Sequence, residues 1–189
     1  MQAVEPIRDK RDIAKMKRIL KRKSLRDYAL FTLGINSALR ISDLLALTVG
    51  DVADENGKIR DRIVIRERKT GKRKAFPISA SAKKALTEYL RDRGACNPSE
   101  PLFKSRKGGK AITRHAAHQI ISKAAQEAGI KYPVSTHSMR KSFGYWAYKS
   151  GHDLAVIQKL LNHSSQKVTL RYIGIEQDDL DDVYISMNL

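Results

Sequence analysis

Apolar positions recur at helical spacing over residues 9–22, "DKRDIAKMKRILKR", where Ile13, Met16, Ile19 and Leu20 share one side of a basic segment. That spacing predicts an amphipathic helix. Ser24 then stands where a helix cap belongs, ahead of "LRDYALFTLGINSAL", which is apolar enough for a core helix; a third, short helix is predicted in "RISDLLAL". The period next changes to two. "RDRIVIRER" and "KRKAFPI" predict two strands joined at "KTGK", with Gly71 supplying the tight turn. Helical spacing returns in "SASAKKALTEYLRDRG", from Thr113 to about Ala128, and in "THSMRKSFGYWAYKSG", "DLAVIQKLL" and "SQKVTLRYIG". Between them lies a turn-rich loop, "ACNPSEPLFKSRKGGKAIT". The predicted fold class is mixed, predominantly α, with one small antiparallel β-sheet.

Charge narrows the partner. The 189 residues carry 37 basic and 20 acidic side chains, a net +17, with 41% hydrophobic content for a core. The acids Glu176, Asp178, Asp179, Asp181 and Asp182 all follow the last basic residue, Arg171. Through Arg171 the balance is 37 basic against 15 acidic, or +22, and a short acidic tail follows. Such an excess points to a polyanion, nucleic acid ahead of a charged membrane surface. Eight of the fifteen residues from Arg60 to Lys74 are basic, so the predicted hairpin is a charged finger. A single cysteine, Cys96, excludes an intramolecular disulfide and argues against a cysteine-rich zinc module. No apolar run approaches the roughly 20 residues of a membrane span, and no signal-peptide core opens the chain. Together these predict a soluble cytoplasmic protein.

The stretch "NHSSQKVTLRYIG" sets His163 and Tyr172 nine residues apart. In one continuous helix, at about 100° per residue, they would lie on opposite faces. Ser164 and Ser165 are good N-caps just after His163, so a break there would let two short helices aim both side chains at one point. Arg40 and Arg140 stand at the starts of otherwise apolar or small-residue helices, where an inward charge needs a purpose. His137 and Arg140 share a helix face, as do Arg40 and Asp43, and Asp43 is placed to hold Arg40. Two arginines can fork onto the oxygens of a phosphodiester in a way lysine cannot. A tyrosine can be the nucleophile.

Other motifs read as ordinary structure. "HAAH", His115 and His118, has no carboxylate nearby in its helix and predicts a helix surface; Ser79, Ser81, Ser142 and Ser150 lack a paired base and predict caps or helix surface. Trp146 and its tyrosine neighbours are expected in the core.

The segments "ALRISDLLAL", "HSMRKSF", "LLNHSS" and "TLRYIGI", with the "RKTGKRKAFPI" hairpin between the first two, resemble the tyrosine recombinase (phage integrase) family in order and spacing. The resemblance runs from about Ile7 to Tyr184. It implies the catalytic-domain fold of that family and assigns roles. Arg40 and Arg140 clamp the scissile phosphate. Lys69, on the hairpin turn, donates a proton to the leaving 5′ oxygen. His137 bonds the phosphate and assists proton transfer, and His163 bonds a non-bridging oxygen. Tyr172 attacks to give a 3′-phosphotyrosine, while Asp43 backs the first arginine. Arg68, Lys72, Arg73, Lys74 and Lys141 are expected to contact DNA. No cofactor and no metal is implied.

Two positions depart from the family pattern. Asn162 stands where glycine is usual before the histidine, and asparagine is the next-best residue for a left-handed helix ending. Lys141 replaces a common second histidine. The resemblance predicts residues 1–174 as the catalytic domain and 175–189 as an acidic tail or helix docking on a neighbouring subunit. The helical DNA-binding domain that usually precedes the catalytic one is not seen, and Met1 followed by "QAVEPIRDKRDIAKMK" reads as the start of a short stand-alone member rather than an excised domain.

The implied partners are double-stranded DNA and further copies of the chain, a tetramer at synapsis, with accessory DNA-bending or directionality proteins and a nucleoid location. Three rivals remain: a non-catalytic DNA-binding regulator on the same fold, a type IB topoisomerase, and a basic RNA-binding protein. The last leaves the arginine, histidine and tyrosine placement unexplained.

If at least six phosphates are contacted, DNA affinity should fall on the order of 10³-fold or more between 50 and 200 mM salt. A filter-binding or anisotropy titration with little salt dependence would remove the basic-face argument.

Overall fold

The computed structural model describes residues 4–106, 108–175 and 184–187. The basic amphipathic segment forms α1 (Lys10–Lys23), capped by the Asp9 carboxylate on the Arg11 N–H and burying Met16 and Leu20. Ser24 ends α1 and caps α2 (Leu25–Ile35), whose side chain accepts from the Asp27 N–H; such a cap contributes roughly 1 kcal/mol. From Ala29 to Ile35 every residue of α2 is buried, which makes it the central core helix.

The helix predicted to run through "NSAL" stops at Ile35. Asn36 donates its amide to the Thr32 carbonyl, and Ala38 adopts a positive φ of 52°. A non-glycine residue there breaks the helix and turns the Ala38 carbonyl inward. Two single-turn helices follow, α3 (Ile41–Leu44) and α4 (Val49–Val52), the latter closed by a Thr48–Asp51 capping box that the sequence pattern did not suggest.

The two strands, β1 (Arg62–Arg66) and β2 (Arg73–Pro77), are shorter than predicted and pair antiparallel, with Ile63 opposite Phe76 and Ile65 opposite Lys74. Ile63 and Phe76 are buried while Arg62, Val64, Arg73 and Ala75 face outward, the alternation expected of a half-covered sheet. Helices α5 (Ala80–Arg93) and α6 (Arg114–Glu127) complete the larger hydrophobic core, in which α5 packs on α2 and α6 on α1.

The carboxyl-terminal helices build a second, smaller core. α7 (Thr136–Lys149), α8 (Leu154–Leu161) and α9 (Gln166–Ile173) enclose Tyr145, Ile157, Leu161 and Ile173, with Ala38 reaching in from the loop after α2. The amino-terminal segment straps this unit. The Ile7 N–H donates to Ser142 Oγ at 2.7 Å, the Trp146 indole donates to the Ile7 carbonyl at 2.9 Å, and Arg8 Nη2 donates to the Gly174 carbonyl at 2.5 Å.

Gly144 lets α7 approach α9: a Cβ built there would lie 2.6 Å from Ile173 Cγ2 and 3.1 Å from Leu161 Cδ1. Gly144→Ala gains roughly 1 kcal/mol of helix propensity, against an overpacking cost of about 1–3 kcal/mol at a β-branched neighbour. The expected net result is lower stability in urea unfolding with α9 displaced. A stabilised variant would show that the contact yields freely.

Candidate active site

The break predicted after His163 is present. α8 ends on Asn162 in the left-handed conformation (φ 50°, ψ 50°), and α9 begins behind Ser165, whose hydroxyl accepts from the Val168 N–H. Asparagine thus makes the turn that glycine usually makes. The result brings the His163 and Tyr172 rings edge to face, centroids 4.7 Å apart. His163 Nδ1 lies 3.2 Å from Thr169 Oγ1, and that hydroxyl already donates to the Ser165 carbonyl. Thr169 can therefore only accept from the imidazole, which assigns the hydrogen to Nδ1 and leaves Nε2 as the free nitrogen. Nothing in the sequence pattern singled out Thr169, although its place four residues after Ser165 on α9 fits a hydroxyl bonding back to the preceding turn.

Arg140 is the buried centre. Its Nη1 donates to the Ala38 carbonyl and its Nη2 to the Leu161 carbonyl at 2.5 Å, and the guanidinium charge acts on the nearby Tyr172 phenol. Burial raises the Tyr172 phenol above its ordinary pKa of 10, against the opposing charge and hydrogen bond of Arg140 and the charge of Arg40. The Lys141 ammonium lies 5.5 Å from the Tyr172 ring centroid, a cation–π distance.

The carboxylate that pairs with Arg40 is a correction to expectation. Arg40 Nη1 lies 3.0 Å from Glu67 Oε2. Asp43, expected to hold Arg40, instead accepts the Arg68 backbone N–H on Oδ1 at 2.9 Å and so fastens the hairpin to α3. A short carboxylate on α3 is better placed for the neighbouring strand end than for the long arginine, which leaves the helix start at Arg40. Glu67 is only 4% exposed. Burial pushes its carboxyl pKa up, but the Thr70 hydroxyl at 2.8 Å and the Arg40 charge outweigh that and hold it below the ordinary value.

Of the hairpin lysines, Lys69 stands exposed on the turn. Lys74, expected among the DNA-facing surface residues, is the one set among the arginines, half-buried, with Nζ 3.4 Å from the Ala38 carbonyl and 3.3 Å from that of Leu160. Arg68, Lys72 and Arg73 are exposed, and Lys72 Nζ reaches Asn162 Oδ1 at 3.4 Å. The strand alternation that buries Ile63, Phe76 and Ile78 also points Glu67 and Lys74 inward, a signal available from the sequence.

His137 opens the first turn of α7 with an edge in solvent. Desolvation of the rest of the ring, then the charges of Lys141 and Arg140, with His118 and Arg114 of α6 beyond them, lower its pKa below 6.5. His163 is lowered in the same direction by burial, then by Arg140 and Arg40. His115 and His118 are exposed on α6, as a helix surface requires.

The arrangement thus joins two arginines, the His163 imidazole, Lys74 and a tyrosine hydroxyl, drawn from the loop after α2, the hairpin, α7, α8 and α9, with His137 on its exposed side. Guanidinium groups so placed can take up the non-bridging oxygens of a phosphodiester, and a tyrosine hydroxyl can serve as a nucleophile. A family model described as "Phage integrase family" matches residues 9–178. The chain is 43% identical over 178 residues to the probable integrase/recombinase YoeC of Bacillus subtilis (strain 168), covering 94% of this chain and 93% of that one. It is 32% identical over 160 residues to the tyrosine recombinase XerC of Pelobacter propionicus, covering 85% of this chain but 51% of XerC. It therefore spans nearly all of YoeC and about half of XerC.

Among solved structures, XerA recombinase matches with a TM-score of 0.78 at 21% identity, over 100% of this chain and 66% of that one. XerH bound to palindromic difH substrate in a post-cleavage complex matches at 0.73 and 22%, over 96% and 53%. Those likenesses establish a tyrosine recombinase catalytic-domain fold. The chain belongs to the phage integrase family, and its relative XerC is a tyrosine recombinase.

Because both imidazoles have folded pKa values below 6.5, the unfolded chain binds more protons just below that pH. Their stabilising contribution is full above about pH 6.5 and is lost as pH falls through the folded values. Urea unfolding should therefore show stability declining from pH 6.5 toward 5, above the range where Glu67 titrates. Replacing both His137 and His163 with Gln should flatten that segment; an unchanged slope would place its origin elsewhere.

Proposed function

We propose that the chain is a site-specific recombinase that cleaves and rejoins double-stranded DNA through a 3′-phosphotyrosyl intermediate. The observation that carries this reading is the Tyr172 ring set edge to face against His163, 4.7 Å between centroids, with its phenol in the field of the buried Arg140 guanidinium. Arg140 and Arg40 bind the non-bridging oxygens. Arg40 has capacity for this because its approach to Glu67 is an ion pair that lacks hydrogen-bond alignment.

Tyr172 Oη attacks phosphorus, the bond from phosphorus to the 5′ oxygen breaks, and the phenolic proton passes to His137, which its surroundings keep neutral. Lys69, brought down with the hairpin on the DNA, gives a proton to the leaving 5′ oxygen. His163 faces phosphate through Nε2, and the arriving negative charge favours the protonated form that donates there. Asp43 supports the hairpin. Rejoining is the reverse displacement by a 5′ hydroxyl, with the phosphotyrosyl ester conserving the bond energy.

Arg68, Lys72, Arg73 and Lys141 provide phosphate contacts, which give affinity without sequence information. Residues 1–174 serve as the catalytic domain. The acidic segment 175–189 docks on a neighbouring copy, a reading supported by the exposed Tyr184, Ile185 and Met187. The surface it suits is the apolar groove of about 540 Å³ that Phe143, Trp146, Val156 and Leu160 line beneath Lys10 and Lys17. Assembly is a tetramer at synapsis, with DNA-bending or directionality proteins as accessories and the nucleoid as the place of action. Among the described residues, no helix is long and apolar enough to cross a membrane.

Covalent capture tests the reading. The protein is expressed with its native flanking DNA, denatured rapidly, and assayed for DNA attached to Tyr172. Wild type should give an adduct whose sequence reveals the site. Tyr172→Phe should give none while keeping DNA affinity within about threefold, because the hydroxyl serves chemistry rather than grip. Removal of residues 176–189 should preserve the adduct and abolish exchange between two sites. Tight binding with no wild-type adduct would instead mark a DNA-binding regulator.

A further inference from the structure

The hairpin supplies more to the site than the lysine at its turn. Lys74 lies on β2 directly opposite Ile65, on the inward face of the sheet. Its ammonium meets the Ala38 carbonyl and the Leu160 carbonyl, which belong to the loop after α2 and to the last turn of α8. The Ala38 carbonyl is the one that Arg140 Nη1 also uses, and Arg140 Nη2 takes the next carbonyl along α8, that of Leu161. Lys74 and Arg140 are therefore seated on the same two pieces of backbone. Ala38 holds its carbonyl in place from a left-handed conformation, and α8 presents the negative end of its dipole.

Resting on the recombinase reading, we propose that Lys74 is a positioning residue for strand cleavage: its ammonium fixes the Ala38 and α8 carbonyls that aim Arg140 at the scissile phosphate and at Tyr172.

The charges around it explain why this role demands a cation under tension. Burial, followed by the Arg140 charge, draws the Lys74 pKa down to about 8; Glu67 at the end of β1 and Asp43 on α3 act the other way, and Arg40 adds to the lowering. Lys72, on the same hairpin, reaches the Asn162 side chain at the end of α8, so a second lysine approaches the same helix end from the solvent side. The neutral amine that forms above pH 8 keeps two of its three hydrogens but loses the charge that strengthens its bonds to carbonyls. Methionine at position 74 fills similar space without either. Arginine keeps the charge across the whole pH range.

The test uses the full chain and a nicked suicide duplex carrying the sequence recovered from the Tyr172 adduct. Covalent capture is measured from pH 6.5 to 9.5 with DNA limiting, so that the profile reports ionisations of the free enzyme. Thermal melting and DNA affinity are measured on the same samples. Wild type should lose capture rate on the alkaline side of about pH 8. Lys74→Arg should fold and remove that alkaline fall. Lys74→Met should slow capture on the order of 10- to 100-fold at pH 7 while holding DNA affinity within about threefold, the loss expected when an aiming contact is removed and binding is kept. Either capture by Lys74→Met at the wild-type rate, or the same alkaline fall in Lys74→Arg as in wild type, would overturn the assignment. A wild-type chain that gives no adduct fails in its own lane, and then the recombinase reading falls and this inference with it.

Discussion

The buried guanidinium of Arg140 is the constraint on which the rest depends. A permanently charged group that is 4% exposed needs acceptors on all sides, and this one takes them from two backbone segments that otherwise share no element. Satisfying it joins the larger core, through the loop after α2, to the smaller core, through the end of α8. The Tyr172 phenol lies in the field of that charge. Removing either of these acceptors would leave a charge in a poorly solvated place, so the geometry that sets Arg140 beside Tyr172 is also the geometry that lets the two cores coexist.

Around that centre the cationic groups sort by depth. Arg140 and Lys74 are held by carbonyls, Arg40 by a carboxylate, and Lys69, Arg68, Lys72 and Arg73 stand outside. The inner groups are preorganised and need little rearrangement when a phosphate arrives, which is the condition under which fixed charges act most strongly. The outer ones are free to follow a backbone whose path varies with sequence.

Local chemistry made much of this legible in the sequence. The Asn162 ending and the Ser165 cap depend on neighbours within a few residues, so the helix break between His163 and Tyr172 could be read directly. The hairpin was legible from its alternation and from Gly71. What escaped was decided across long separations. Lys74 meets carbonyls 36 and 86 residues away, and in the sequence it is one of many cations in a charged run. Glu67 replaces Asp43 as the partner of Arg40 because a strand end, not the next helical turn, lies beside that guanidinium. The early end of α2 had the same origin: the helix yields at Ala38 because its carbonyl is needed elsewhere, a tertiary demand that overrides local propensity.

The strap from Ile7 and Arg8 carries a mechanical implication. Its hydrogen bonds reach the middle of α7 and the residue that closes α9, so Arg8 and Gly174, 166 residues apart in the chain, lie side by side. A displacement of the strap is delivered to the final turn of the helix bearing Tyr172. Tyr172 is thereby coupled mechanically to the amino-terminal strap, whose play or tightness it would feel.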